Sequence, residues 1–338
     1  MSFMRQEAAD SAAAVGRCLA QQDAFAGVAA RLREFDPAVV MVCARGSSGH
    51  VGTFLRYLLA RELGLVAAAA MPSVASLYHR RQRLRGALFV SISQSGRSPD
   101  LIVTTEQARA AGALTLALVN EPESPLATAC ELVLRIAAGT ERSVAATKTV
   151  LASLAAALAL TAAWARDTDL AGALTRLPAR LEAACTLDWS SLTYQIGRVQ
   201  RMFAVGRGPG LAIASEAALK LAETTGVAGL AYSAAELPHG PRALAGPDFP
   251  VLAFVQNDAG RTGTAALLAD LASRGTPVLA TGVEGPGIIT LPTLPSDHPD
   301  TDLLPQLVCF YLAAEAAARA RGRDPDHPPG LRKVTQTT

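Results

Sequence analysis

The chain has 338 residues, of which half are hydrophobic and only 5% aromatic, and its formal net charge is +2. That length is enough for two domains of ordinary size. A nearly neutral charge excludes the strongly basic surface that is typical of nucleic-acid-binding proteins. Four arginines are clustered between two predicted strands: Arg80, Arg81, Arg83 and Arg85. The simplest interpretation is a solvent-exposed edge of the protein, and the alternatives are attraction of an anionic ligand or a contact with another subunit.

The five cysteines are scattered without a Cys-x-x-Cys pair, as is typical of free thiols in a reducing compartment. The first residues lack the basic-then-apolar order of a signal peptide. The alanine-rich run 149–165 is shorter than a membrane span and predicts a buried helix instead. The sequence therefore predicts a cytoplasmic protein that does not enter a membrane.

Short apolar runs alternate with amphipathic helical patterns, which indicates parallel strands with crossover helices. In the first half we predict strands at 38–44, 66–70, 87–92, 113–118 and 132–136, and helices at 50–63, at 98–112 and from about 143. In the second half we predict strands at 201–206, 251–255 and 277–280, and helices at 211–225, 261–274 and 302–321.

Short sequence matches indicate that the two halves repeat one plan. The stretch from Ala44 matches the stretch from Gly206, 162 residues later, and each keeps an Arg-Gly pair after a strand. We therefore predict an α/β fold of two tandem doubly wound parallel-sheet domains, flavodoxin-like, with helices on both faces. The expected limits are an N-terminal helix over 1–34, a first domain over 35–168, a second over 169–322 and a tail over 323–338 that closes over the site.

In the first half, an apolar strand runs directly into clustered hydroxyl and amide side chains. They are Ser93, Gln94, Ser95 and Ser98. Ser98 followed by Pro99 is typical of a helix N-cap and first turn, and the start of a helix favours a bound phosphate. Asp100 disfavours phosphate unless its side chain turns away or caps the helix. The matching position of the second half carries Asp258, which would repel an anion.

Two more polar segments of the first half follow strands. Ser47 and Ser48 lie between two glycines after the first strand, where a simple tight turn is the alternative. The loop 138–148 follows the last strand and contains Glu141 and Lys148, which could instead form a surface ion pair. Because ligands of such sheets bind beyond the carboxyl ends of the strands, the sequence favours a shared pocket.

The second half and the end of the chain carry candidate acid–base residues. Glu216, Lys220 and Glu223 are spaced i,i+4 and i,i+3 in an apolar helical stretch. They predict either a surface ion pair or a carboxylate tuned for proton abstraction. His239 lies in a proline-rich loop, where it suits proton transfer unless it is only structural. Lys333 lies on a tail that is either solvated or folded back over a pocket.

Together these segments resemble the sugar isomerase (SIS) domain family. The resemblance is strongest to the isomerase half of glutamine–fructose-6-phosphate aminotransferase and to the SIS-type glucosamine-6-phosphate deaminases, roughly from residue 35 to 338. The motifs that carry it are Gly46-Ser-Ser, Ser93-Gln-Ser-Gly with Ser98, Ala138-Gly-Thr-Glu with Ala145-Ala-Thr-Lys, Glu216-Ala-Ala-Leu-Lys-Leu-Ala-Glu, Glu236-Leu-Pro-His-Gly-Pro and Leu331-Arg-Lys-Val.

The resemblance implies a role for each matched residue. The residues that would bind the sugar phosphate are Ser93, Gln94, Ser95 and Ser98, with Ser48 nearby. The residues that would face the sugar are Ser47, Val144, Ala146 and Thr147. Glu223 would move a proton between C1 and C2 with Lys220 beside it, and Lys333 would contact the open-chain sugar. His239 would open the sugar ring and reach the site from the other subunit of a homodimer. No metal or organic cofactor is implied.

Departures from the family pattern narrow the expected function. Only some 35 residues precede the first predicted strand, so we expect no glutaminase domain. Arg97-Ser98 stands where the aminotransferase usually has Glu-Thr, and Pro329-Gly330 where it has Arg-Asn. We therefore expect deamination of glucosamine 6-phosphate to fructose 6-phosphate. Three alternatives stay open. The reaction could be aldose–ketose isomerisation, the substrate could be another hexose or hexosamine 6-phosphate such as galactosamine 6-phosphate, or the protein could be a non-catalytic sugar-phosphate sensor.

Overall fold

The computed structural model describes residues 1–333. Residues 334–338, which include the end of the predicted tail and the last residue of the Leu331-Arg-Lys-Val motif, lie outside the described residues.

The chain divides into two compact units. The first-sheet unit comprises Ala13–Glu141, Lys148–Thr175 and, at the end of the described residues, Arg332 and Lys333. The second-sheet unit comprises Met1–Ala12, Arg142–Thr147 and Arg176–Leu331. The predicted domain limits stay a prediction; they differ from the compact units chiefly at the first twelve residues and at 142–147, which both belong to the second-sheet unit.

The chain begins with three helices, α1 (Phe3–Ala9), α2 (Ser11–Leu19) and α3 (Gln22–Phe35). The Ser2 hydroxyl caps α1 by accepting a hydrogen bond from the Arg5 N–H. The expectation of a single helix over 1–34 is wrong. The helix is interrupted at Asp10, a residue type whose side chain competes for backbone hydrogen bonds and favours helix ends, and again at Ala20 and Gln21.

The first-sheet unit contains five parallel strands, β1 (Val39–Ala44), β2 (Ala67–Ala69), β3 (Ala87–Ser93), β4 (Leu114–Val119) and β5 (Leu132–Arg135). Their spatial order is β2-β1-β3-β4-β5. β3 and β4 are buried along their whole length, as expected of central strands covered on both faces. All five predicted strands are present.

The helices of this part of the chain are α4 (Gly46–Leu63), α5 (Pro72–Ser76), α6 (Pro99–Ala110), α7 (Pro125–Ala129) and α8 (Lys148–Ala165). α4 begins four residues earlier than predicted, because Gly46 adopts a φ of 51° that allows the chain to turn directly from the strand into the helix. α8 begins at Lys148 rather than near 143. The short helices α5 and α7 were not predicted.

α8 is the one described helix that is long and apolar enough to cross a membrane by length and composition. However, 83% of it is buried, and it packs against α3 and α4. The prediction of a buried helix is confirmed.

The second sheet has the strands β6 (Arg201–Gly206), β7 (Ala228–Ser233), β8 (Val251–Ala253), β9 (Val278–Thr281) and β10 (Ile288–Leu291). Their order, β7-β6-β8-β9-β10, repeats the order of the first sheet. The remaining helices are α9 (Thr168–Ala184), α10 (Ser190–Arg198), α11 (Gly210–Lys220), α12 (Arg261–Ser273) and α13 (Leu303–Ala320). Two parallel sheets with helices on both sides confirm the predicted fold class.

Two differences in this half have physical causes. The half-exposed β10 was missed, because its apolar run is short and does not alternate clearly. The predicted helix 211–225 is an α-helix only to Lys220 and continues as a π-helical turn over Leu221–Thr225. Its apolar pattern is continuous across the change, so the sequence alone gives no sign of it.

Candidate active site

The predicted phosphate loop lies at the carboxyl edge of the first sheet. β1 and β3 are adjacent and parallel, with Ala44 opposite Ile92, so the segments after both strands leave at the same edge. Ser47 and Ser48 form the first turn of α4 there, and both are half-buried. The structure thus brings the two predicted serine clusters of this unit to one edge.

Hydrogen bonds within the loop fix its shape. The Ser93 hydroxyl accepts from the Gly96 N–H at 3.0 Å, and the Ser95 hydroxyl accepts from the Arg97 N–H at 3.3 Å. Ser98 is the N-cap residue of α6, as predicted, but its side chain makes no capping hydrogen bond. Among residues 1–333, the side chains of Ser48, Gln94 and Ser98 form no hydrogen bond, which leaves them able to donate to a ligand.

Gly96 is required by both backbone conformation and space. Its φ is 62°, and a Cβ atom at this position would lie 2.0 Å from the Ser124 Oγ. The Ser124 side chain accepts from the Ala127 N–H at the start of α7, so it is not free to move aside without losing that cap.

Replacing Gly96 with Ala is therefore expected to lower the free energy of unfolding by about 2–4 kcal/mol, from the left-handed backbone and the overlap together. Gly64 provides the matched control, because its φ is 65° and no heavy atom lies within 4 Å of the position that an added Cβ would take. Gly64→Ala should cost only about 1–2 kcal/mol. Urea unfolding measures both, and equal losses would show that the contact with Ser124 does not matter.

The negative charge of Asp100, which disfavours phosphate binding at this loop, is neutralised by Arg45. Its Oδ2 accepts from the Arg45 Nε and lies 2.8 Å from the Arg45 Nη2, while its own side chain is fully buried. The Oδ1 accepts from the Leu101 N–H at 2.9 Å. The carboxylate is thus turned into the protein, and the ion pair ties the segment after β1 to the start of α6.

Glu141 and Lys333 form a second ionic contact in the first-sheet unit. The Glu141 carboxylate accepts from the Thr149 N–H at 3.1 Å and from the Thr149 hydroxyl at 2.6 Å. The Lys333 Nζ donates to the same carboxylate at 2.9 Å, with the lysine side chain 25% exposed. Glu141 and Lys148 are both buried, so the alternative of a surface ion pair is wrong.

The predicted sugar-facing segment is held within the second-sheet unit. Glu7 on α1 accepts from the N–H groups of Arg142 at 2.5 Å and Ser143 at 3.1 Å. The Val144 N–H donates to the Asp326 carbonyl at 3.2 Å. Val144 and Ala146 are half-buried, whereas Thr147 is fully buried.

A buried ionic cluster is centred on Lys220. Its Nζ lies 3.3 Å from the Glu216 Oε1 and 2.5 Å from the Glu223 Oε2, and the Tyr311 hydroxyl donates to Glu216 at 3.1 Å. The side chains of Lys220 and Glu216 are 1% exposed, that of Glu223 20%. The alternative of a surface ion pair is therefore wrong for this cluster.

Two opposing effects act on the pKa of Lys220. Burial alone would lower it, but the charges of Glu216 and Glu223 and their hydrogen bonds together raise the pKa above its ordinary value. The lysine is thus a fixed cation. Glu223, on the π-helical turn, is the carboxylate of the cluster that reaches solvent, and such turns occur frequently at functional sites.

His239 lies at the end of a short 3₁₀ turn (Leu237–His239) that follows β7. It is exposed, and the next residue, Gly240, has a φ of 135°. In the part of the chain that the structure describes, the imidazole has no hydrogen bond or ion pair. Within the described residues, no hydrogen bond or ion pair therefore joins His239 to the Lys220 cluster.

The SIS domain model matches residues 36–163 and 195–282. The chain belongs to the SIS domain family. A glutamine–fructose-6-phosphate aminotransferase (isomerizing) of Thermotoga maritima is 31% identical over 317 residues, which cover 89% of this chain and 52% of that protein. The chain thus spans about half the length of the curated relatives that it matches.

Solved structures share this SIS fold. A protein of Silicibacter pomeroyi, provisionally described as a phosphosugar isomerase, is 43% identical with a TM-score of 0.92, over 96% of this chain and 100% of that chain. A glucosamine-6-phosphate deaminase of Thermotoga maritima is 20% identical with a TM-score of 0.75, over 99% of this chain and 100% of that chain. The second likeness shows the fold alone.

Three side chains that were given no substrate-binding or catalytic role from the sequence contact residues of the candidate site. Arg45 neutralises Asp100, Glu216 is the buried partner of Lys220, and Tyr311 donates to Glu216. For Glu216 the i,i+4 spacing to Lys220 was a visible signal. Arg45 and Tyr311 act across large sequence separations, so their roles were not visible in the sequence.

Proposed function

We propose that this chain is a phosphosugar isomerase, and more specifically that it converts glucosamine 6-phosphate and water into fructose 6-phosphate and ammonia. The observation that carries the proposal is the Lys220 cluster, which presents the single partly exposed carboxylate of Glu223 beside a buried, fixed cation. A carboxylate held in this way suits proton transfer at a carbon next to a carbonyl.

The serine loop supports a phosphorylated substrate. Ser48, Gln94 and Ser98 keep their donors unused within the described residues. Ser48 and Ser98 lie at the start of two helices whose dipoles favour an anion. The Arg45 guanidinium cancels the charge of Asp100 at the same edge. Ser93 and Ser95 hold the loop and also offer hydroxyls.

The proposed reaction balances as an internal proton transfer followed by hydrolysis. His239 opens the sugar ring to the aldehyde. Glu223 then removes the proton from C2 and returns a proton to C1, while O1 gains a proton and the C2 amino group loses one by exchange with solvent. The 2-amino aldehyde thereby becomes the 2-imine of fructose 6-phosphate. Water adds to C2 and ammonia leaves. Lys220 holds the Glu223 carboxylate in position. Lys333 with Ser47, Val144, Ala146 and Thr147 would contact the open-chain sugar.

The choice of deamination over simple isomerisation comes from the sequence departures at Arg97 and Pro329 rather than from geometry. A product assay over glucosamine 6-phosphate, galactosamine 6-phosphate and glucose 6-phosphate tests it. Ammonia and fructose 6-phosphate from the first substrate are expected. Interconversion of glucose 6-phosphate and fructose 6-phosphate without ammonia release from any amino sugar would support the isomerase alternative, and binding without turnover would support a sensor.

The imidazole of His239 is exposed and makes no hydrogen bond or ion pair with residues 1–333, which supports a role at the site of a second copy in a homodimer. Mixing inactive Glu223→Gln and His239→Ala variants under subunit exchange is expected to restore about a quarter of the wild-type activity, since half of the dimers are mixed and each carries one intact site. The assay is the turnover rate against each variant alone. Absence of any recovery, with exchange verified by mass, would place His239 in the site of its own chain.

A further inference from the structure

A cavity of about 260 Å³ lies at the carboxyl edge of the second sheet. Val255 and Asn257 follow β8, Gly282 follows β9, and Pro305 and Gln306 belong to the first turn of α13; all five line it. None of them belongs to the proposed catalytic or phosphate-binding residues. In doubly wound sheets, this edge is where ligands bind.

Among the charged residues that line the cavity, the two arginines Arg180 and Arg261 outnumber the single aspartate Asp302. Arg180, with a side chain only 17% exposed, donates to the Asp302 carboxylate at 2.8 Å, and this pair is neutral. Arg261 donates from its Nε and Nη2 to the Gly282 carbonyl at 3.2 and 2.9 Å. Within residues 1–333 Arg261 has no carboxylate partner, so its charge is uncompensated.

Two long helices begin at the cavity. α12 starts at Arg261, and α13 starts at Leu303 with Gln306 in its first turn. The partial positive charge at the start of each helix adds to the charge of Arg261. Both helix starts favour an anion in the cavity.

Gln306 provides an independent sign of a ligand. The residue is only 7% exposed, and its Oε1 accepts from the Thr281 hydroxyl at 2.9 Å. The Nε2 at the other end of the same amide has no hydrogen-bond partner in the described chain. The Nε2 is not one of the fully buried side-chain atoms, so it is open to the cavity that Gln306 lines and can donate to a ligand there.

Asp258 was expected to repel an anion at this edge. Its Oδ1 accepts from the Gly260 N–H at 2.8 Å within its own loop, and Asp258 is not part of the cavity wall. The Asp258 carboxylate is thus held within its own loop rather than in the cavity wall.

We propose that this cavity is a second binding site, for a small anionic metabolite whose phosphate or carboxylate group contacts Arg261 and the Gln306 Nε2. Its carbon part packs on Leu187, Val255 and Cys309, which supply the apolar wall. The site is separate from the proposed catalytic residues, and a ligand there acts as an effector rather than as a substrate.

Trp189 provides a reporter. Its indole N–H donates to the Pro292 carbonyl at 2.9 Å, and Pro292 lines the cavity. The chain has two tryptophans, so a Trp164→Phe background leaves Trp189 as the only one. Titration with inorganic phosphate, malate or fructose 6-phosphate is expected to give a saturable change in fluorescence with at least one probe. The probe that acts distinguishes a phosphate ligand from a carboxylate ligand.

In the same background, Gln306→Met and Arg261→Gln are each expected to weaken binding by about tenfold or more, the usual effect of removing a hydrogen bond to a charged group. Arg274→Gln is the matched control, an exposed arginine at the other end of α12, and should leave binding unchanged. Ser98→Ala, which alters the proposed phosphate loop of the catalytic site, should also leave binding in the cavity unchanged. The test of the cavity therefore does not depend on the proposed function. No saturable signal with any probe, or a signal equal in all variants, would overturn the proposal.

Discussion

Replacing Glu223 with Gln is expected to lower kcat by about 10²–10⁴-fold while leaving sugar-phosphate binding nearly intact. The amide keeps a similar shape and still accepts from Lys220, whose Nζ lies 2.5 Å from the native carboxylate, but it cannot take up a proton. Steady-state kinetics give kcat, and calorimetric titration with fructose 6-phosphate gives the affinity.

Glu182→Gln is the matched control, because Glu182 is exposed and lies in the same unit, outside the Lys220 cluster and outside the family motifs. It should leave kcat unchanged. If Glu223→Gln keeps more than a tenth of the wild-type kcat, another group transfers the proton and the assignment of the base is wrong.

Replacing Lys220 with Met is expected to destabilise the fold by about 3–5 kcal/mol, because it leaves the carboxylate of Glu216 buried without its cation. Lys220 and Glu216 are each 1% exposed, so water cannot substitute for the missing charge. Urea unfolding monitored by circular dichroism gives the free energy of unfolding. A loss below about 1 kcal/mol would show that the cluster is solvated.

The double variant Glu216→Gln with Lys220→Met separates charge from packing. Removing both charges is expected to recover much of the lost stability, since a buried pair costs desolvation that a neutral pair does not. The Tyr311 hydroxyl can still donate to the amide oxygen at position 216. Activity should not recover in the double variant, because Glu223 lacks its fixed cation in the double variant just as it does in Lys220→Met.

The same cluster sets the behaviour at high pH. Folding raises the pKa of Lys220 above its ordinary 10.5, so the native state favours the protonated lysine. This contribution to stability is complete below pH 10.5 and is lost as the pH rises through the higher native value. In the physiological range the Lys220 contribution therefore does not vary with pH.

The strands and the phosphate edge could be predicted from the sequence because they depend on local patterns. Buried parallel strands read as continuous apolar runs, and polar residues such as Ser93 follow directly after them. The spatial neighbours of those residues were not predictable. Arg45 and Asp100 are 55 residues apart along the chain, and they meet only because β1 and β3 are adjacent in the sheet.

One long-range contact and two local backbone features were also not predictable from the sequence. Lys333 meets Glu141 across 192 residues, and no local pattern encodes such a contact. The start of α4 depends on the φ of Gly46, since a backbone that many residues avoid is accessible to glycine. In the second half, the apolar stretch from 211 to 225 looks like one uninterrupted helix although its hydrogen bonding changes at Leu221.

The π-helical turn has a consequence for insertions and deletions in this segment. A π turn accommodates one residue more than an α turn, and the exposed Ala222 lies between Lys220 and Glu223. Deleting Ala222 would move the carboxylate from the third to the second position after the lysine, and residues two apart point to different sides of a helix. A shortened chain could thus keep every charged side chain and still lose the pairing, so the length of this segment is as much a part of the site as its chemistry.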